Sequence, residues 1–173
     1  MTMFKRESHN LPPDAVYPAD LDKLGFKINE KGQFVHKRTG KYFDFYFTDS
    51  ERANEVHRES MHECARQAVK KELLKYGVRE VYLTGRQGDA FAVEKPGVSH
   101  INILASDLSA LMRKSDVIVI VPERNQDLGI WTYRELMREG GIDRGSVVGL
   151  VKKLQGIRLG GEGKVSNEEL LLF

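Results

Sequence analysis

The chain has 173 residues, 40% of them hydrophobic and 30% charged, and Lys plus Arg outnumber Asp plus Glu by only 27 to 25. Such a length and balance fit one globular domain with a real core and leave no global basic excess of the kind a nucleic-acid binder carries. Cys64 is the single cysteine, which excludes an intramolecular disulfide and any cysteine-clustered zinc site.

The first 18 residues, "MTMFKRESHNLPPDAVYP", lack an apolar core of signal-peptide length, and no later run approaches the roughly 20 apolar residues that cross a bilayer. Cytosol or nucleus is the expected compartment, with no membrane partner. Three of the five prolines precede Leu21, so residues 1–20 read as an extended N-terminal arm. In "LDKLGFKINEKGQFVHKRTGKYFDFYF", Lys31-Gly32 and Thr39-Gly40 supply turn glycines, predicting a small antiparallel hairpin with strands at 34–36 and 42–47. The aromatic run Tyr42, Phe43, Phe45, Tyr46 and Phe47 is read as strand packing rather than as a base-stacking surface.

"TDSERANEVHRESMHECARQAVKKELLKYG" carries the strongest helix signal. Thr48 and Glu51 stand at capping-box spacing, and Gly77 follows a lysine-rich end. Its apolar residues recur on one broad face. His57 and His62 are five positions apart and do not share a face as a ligand pair four apart would, so they are read as polar-face residues and no metal site is expected. "VREVYL" and "HINILA" read as strands separated by a loop, and "SDLSALMRKSD" as a short helix capped by Ser106. The unbroken run "VIVIV", bounded by Asp116 and Pro122, reads as a strand covered on both faces. The loop that follows, "PERNQDLGIW", then leaves the carboxyl end of a central strand, where open α/β sheets place ligands and catalytic groups. "GIWTYRELMREGG" and "DRGSVVGLVKKLQ" read as two further helices, and residues 156–173 as a divergent, loose tail with a short helix from Ser166.

A search for chemistry gives little. Gly-x-Ser-x-Gly is absent; in "GSVVG" the serine, Ser146, stands one place early and reads as a helix start, and no histidine follows His100. "GRQGD" and "LGGEGK" match neither phosphate-loop pattern, so they read as turns and no cofactor is expected. Glu123 and Asp127 in the loop are a weak acid/base pair with no histidine nearby.

The segments "YPADLDKLGFKINEKGQ", "RANEVHRESM", "QDLGIW" and "GIDRGSVVGLVKK", in this order and spacing, resemble the fungal form of the Argonaute-binding-protein-two domain. That domain belongs to a subunit of the Argonaute siRNA chaperone complex and also ends some class II histone deacetylases. The resemblance spans residues 11–155. It implies a partial α/β-hydrolase-like fold, with a mostly parallel sheet, helices on both faces and the small N-terminal hairpin. It places residues 121–131 where a hydrolase has its oxyanion loop. Here Val121-Pro122-Glu123 stands there, removing an amide donor and adding a negative charge, which opposes acyl transfer. Where the family domain continues into a further strand and nucleophile elbow, this chain turns into "GIRLGGEGKVSNEELLLF", so an incomplete domain at 21–155 is expected. The resemblance therefore implies a non-catalytic interaction module in RNA-guided heterochromatin silencing, nuclear and cytoplasmic. Argonaute-complex subunits or a class II histone deacetylase would be its partners, and Glu123, Gln126, Asp127 and Trp131 its partner-binding residues. For Trp131 the competing reading is core packing beneath the loop. Two alternatives stand beside this one. The first is a degenerate α/β hydrolase acting on a small ester, and the second, ranked lower, is direct siRNA binding through Arg66, Lys70, Lys71 and Tyr76.

Overall fold

A computed structural model of the chain describes residues 13, 15–84, 91–92, 97, 99–106, 108, 113, 117–160 and 169–172. The first paired elements are β1 (Phe26–Ile28) and β2 (Phe34–His36), antiparallel, with Phe26 opposite His36 and Ile28 opposite Phe34. Gly32 turns the hairpin with φ of 71°, a left-handed conformation open to glycine at little cost. The second predicted strand, residues 42–47, is absent: Tyr42 makes an isolated bridge to Val35, and the chain then turns. Of the aromatic run, Phe43 is buried in the core while Tyr46 lies on the surface.

Helix α1 (Glu51–Leu74) is the 24-residue spine of the molecule. Its N-cap is Ser50, whose hydroxyl accepts from the Ala53 amide at 3.3 Å; Thr48, the expected cap, instead contacts Asn54. Met61, Ala65, Val69 and Leu73 repeat every fourth residue and are fully buried. Each large side chain among them contributes roughly 1.5–3 kcal/mol by leaving water. They meet Phe34, Leu104, Ile130, Leu136, Met137, Val147 and Val148 in one core.

A second sheet follows, with strands β3 (Arg79–Leu83), β4 (Phe91–Ala92), β5 (Ile101–Ala105), β6 (Val117–Ile120) and β7 (Glu169–Leu172) in the order β4-β3-β5-β7-β6. The pairs β3–β4, β3–β5 and β5–β7 are antiparallel, and β6–β7 is the one parallel pair among the described strands. This overturns the expected α/β-hydrolase-like, mostly parallel sheet. The described strands are short, β3 and β5 pair antiparallel, and no extended parallel array exists among them for a hydrolase loop to crown. Among the described residues, helices do not cover both faces either. Glu80, which pairs with Lys70 of α1 at 2.8 Å, and Leu104 mark the helix-covered face. Val81, Ile103 and Ala105 form a separate small cluster on the other, packed by Leu108.

The run "VIVIV" is likewise corrected. β6 lies at the sheet edge, where Ile118 and Ile120 pack toward the core while Val117 and Val119 are exposed. A run of branched residues signals a strand, but it tells neither whether that strand lies at an edge nor whether both of its faces are covered; here only the face of Ile118 and Ile120 is packed.

The carboxyl-terminal part also departs from expectation. The last two predicted helices become three: α2 (Tyr133–Leu136), α3 (Gly141–Gly145) and α4 (Val148–Gly160). α4 runs past the boundary expected at 155, and β7 forms a strand between β5 and β6 where a loose tail was expected. The short helix predicted after Ser106, the start of the helix predicted from Ser166, and the turns "GRQGD" and "GGEGK" lie mainly outside the described residues.

Candidate functional site

The loop at 121–131 is held by several specific contacts. Asn125 and Gly129 both have positive φ, 68° and 79°; a Cβ on Gly129 would stand 2.9 Å from Leu104 Cδ1, so only glycine fits that turn without movement. Gln126 pins the loop from inside. Its Nε2 donates to the Ile130 carbonyl at 2.8 Å and to the Trp131 carbonyl, while its Oε1 accepts from the Glu123 amide at 3.4 Å. Beyond the turn, Trp131 N donates to Gly145 O at 2.9 Å, and Val147 N to Gly129 O at 3.0 Å. The far end of the loop is thereby laced to the start of α4.

A side-chain clamp holds the loop onto α1. Asp127 accepts from the Tyr133 hydroxyl at 2.6 Å and from Arg66 at 3.1 Å. Arg66 also donates to Tyr133 Oη at 3.2 Å, to Glu59 at 2.7 Å and to Glu63 at 2.8 Å. Burial works against the Arg66 charge, but its hydrogen bonds to Glu59, Glu63 and Tyr133 outweigh it and raise its pKa. Burial, then the Asp127 contact, pushes the Tyr133 phenol up, so it donates and does not ionise near neutral pH. Hydrogen bonds from Gln67 and Arg66 hold Glu63 below the usual carboxylate range. On top of this group His62 stacks flat on Tyr133, ring centroids 3.6 Å apart and planes 8° apart. Its Nε2 is buried without a partner, and burial lowers its pKa to about 4, so the ring is neutral at pH 7.

The four expected partner-binding residues thus divide. Gln126 and Asp127 face inward as braces. Glu123 and Trp131 face outward; the indole is 38% exposed and does not belong to the buried core, which removes the core-packing reading. Arg66, Glu59, Glu63, His62 and Tyr133 were missed as members of one group. The helical part of the signal was present, since 59, 62, 63 and 66 share a face of α1. The reach from Arg66 to Asp127 spans 61 positions and has no local signature.

His57 is not a polar-face residue. It is buried among Tyr17, Phe43 and Phe47, with ring centroids 4.2–5.1 Å away, and burial lowers its pKa. It shares nothing with His62, and no group of three His, Cys, Asp or Glu able to hold a metal occurs among the described residues. Of the residues expected to touch RNA, Arg66 is committed to three carboxylates, Lys70 to Glu80, and Tyr76 lies under Lys152 at 5.8 Å. Ser146 is fully buried, donates to Ile142 O at 2.5 Å and accepts from Val148 N at 3.3 Å, which makes it a fastening at the start of α4. No described helix is long and apolar enough to cross a membrane.

A mixed sheet beside one long helix, with a surface loop clamped across that helix, defines a small α+β domain. The profile of the Arb2 domain matches residues 17–166, and the chain belongs to that family. This is the Argonaute-binding domain of the sequence resemblance, and family membership carries its general theme of Argonaute-linked silencing. No curated protein and no solved structure matches the chain.

Proposed function

We propose that the chain is a non-catalytic interaction module in RNA-guided heterochromatin silencing, acting in nucleus and cytoplasm. In this reading it holds Argonaute chaperone-complex subunits or a class II histone deacetylase through the outer surface of the loop at 121–131. The observation that carries the reading is the clamp itself. The side chains of Gln126, Asp127, Arg66, Tyr133, Glu59 and Glu63 fix a loop on whose surface the side chains of Glu123 and Trp131 stand exposed. Pre-ordering a loop lowers the entropy lost when a partner binds it, and an exposed tryptophan at its edge is a typical anchor. The commitment of Arg66 and Lys70 to carboxylates weighs against direct siRNA binding through that face.

The test is co-purification of the tagged chain with Argonaute-complex subunits and deacetylase, comparing wild type with Trp131→Ala combined with Glu123→Lys. Both positions are exposed, so thermal stability should hold while partner recovery falls at least tenfold. Full recovery of partners by a folded double variant would refute the role of this loop, and absence of these partners from wild-type preparations would refute the silencing assignment. Labelling by a serine-reactive fluorophosphonate is expected to fail; a covalent adduct would overturn the non-catalytic reading.

A further inference from the structure

The opposite side of α1 bears a groove of about 500 Å3 that the clamp does not touch. One wall is the arm at Ala19, Asp20 and Leu21, the other the α1 residues Cys64, Ala68 and Lys71, and Ile28 and Ile142 close it. Cys64 and Ala68 are one turn apart, and Lys71 stands one turn further on the same face. With 100° of rotation per residue, this face lies roughly 160° around the helix from the one carrying Glu59, His62, Glu63 and Arg66. Burial pushes the Cys64 thiol pKa up, so the thiol serves as apolar floor together with Leu21, Ile28, Ala68 and Ile142. Volume and lining fall in the range of ligand sites.

Two further features say what kind of occupant fits. The first is a free strand edge. The bonds Lys37 N to Gly25 O and Asn29 N to Gln33 O fix the alternation of the β1–β2 ladder. Residues 25, 27 and 29 point their amides and carbonyls at β2, so those of Ile28 point to the other side. The Phe26 amide, on that same side, donates to Leu21 O, which places the outer edge of β1 against the arm that walls the groove. The Ile28 amide and carbonyl therefore border the groove with no strand beside them among the described residues.

The second is charge. Nearby acids are occupied: Asp20 accepts from the amides of Asp22 and Lys23, and Glu72 pairs with Lys75 at 2.5 Å and Lys152 at 3.8 Å. Asp143 pairs with Lys152 at 2.7 Å. Lys71 has no ion pair or hydrogen bond among the described residues, and it stands at the rim of the apolar floor.

We infer that this groove docks an extended segment of a partner protein, which adds to the outer edge of β1 at Ile28, seats apolar side chains on the Leu21, Cys64, Ala68 and Ile142 floor, and sets an acidic side chain on Lys71. Strand addition supplies main-chain bonds and alternate side-chain pockets supply selectivity. A lipid or a small anion would use Lys71 and the floor but leave the Ile28 edge unused, which favours a peptide. The surface is separate from the loop at 121–131 and stands without the function proposed for that loop.

The experiment selects a library of capped seven-residue peptides on the immobilised full chain, then measures the enriched peptides by fluorescence anisotropy. Enrichment of sequences with apolar residues two apart and a neighbouring Asp or Glu is expected. Lys71→Glu should weaken their binding about tenfold and favour versions carrying Lys in place of the acid. Ala68→Arg should block the groove, and methylating the central peptide amide should also weaken binding. Circular dichroism checks that both protein variants stay folded; because Lys71 is exposed, the charge swap remains informative if Ala68→Arg does not fold. No enrichment, binding indifferent to the peptide's charge, or binding unchanged by Lys71→Glu would overturn the inference. So would Lys71-dependent binding of phosphatidylserine vesicles in place of peptides.

Discussion

Replacing Arg66 with methionine keeps most of the aliphatic stem and removes the centre of the clamp. The Arg66 side chain is 22% exposed, while Glu59 is 68% and Glu63 and Asp127 each 40% exposed. The Glu59 pair is mostly in solvent and contributes a few tenths of a kcal/mol. Glu63 and Asp127 lie between an exposed pair and a buried charged hydrogen bond, so each contributes about 1 kcal/mol. The loss is therefore about 2 kcal/mol, a fall in Tm of roughly 5 °C for a chain of this size. Since Asp127 keeps its Tyr133 bond at 2.6 Å, the loop should loosen without detaching, so amides at 126–131 should exchange faster while those of β3 and β5 do not. A double-mutant cycle with Asp127→Asn should give a coupling of about 1 kcal/mol. A Tm within one degree of wild type, with unchanged exchange in the loop, would refute the idea that this charge group holds it.

Two further outcomes follow from the geometry. Burial lowers His62 from 6.5 to about 4, so the unfolded chain takes up that proton first as pH falls. Its stabilising effect is complete above about pH 6.5 and is lost progressively toward pH 4, by about 2 kcal/mol after allowing for partial exposure. Urea titrations of His62→Phe, which retains the stack on Tyr133, should show a flatter dependence over that window, with His57 supplying a remainder of the same sign. A Cβ on Gly145 would lie 2.4 Å from the backbone Cα of Leu136, so Gly145→Ala should cost about 3 kcal/mol or more. Gly40, at φ of 67° with nothing near, should cost only about 1 kcal/mol on the same change, and equal urea midpoints for the two would contradict the packing described for α3.

What the sequence revealed was local. The span and buried face of α1, the turn glycines at 32 and 40, and the positions of β3 and β5 follow from periodicity, caps and turn chemistry, which act over a few residues. Strand partners and direction were not legible, because Val117–Ile120 looks the same between two neighbours as at an edge. The two helices expected near the carboxyl end become three, with Gly140, Gly141 and Gly145 packed directly against Glu135, the Gly32 carbonyl and Leu136, contacts that no spacing announces. For the site, the sequence singled out the loop at 121–131, on which the side chains of Glu123 and Trp131 lie at the surface. The inward roles of Gln126 and Asp127 depend on Arg66 and Tyr133, and only the folded chain brings those together.

Helix α1 carries the clamp on one side and the groove on the other, with about 36 Å of rigid rod running through both. Two ligands held on opposite sides of a rod neither collide nor displace one another, so occupancy at one leaves the other available. Tethering such ligands to each other turns the second encounter into an intramolecular one at millimolar effective concentration, and the gain is avidity without any new contact. A domain of this kind can bridge two weakly bound chains, and its output would then depend more on the length of the linker between them than on the strength of either contact.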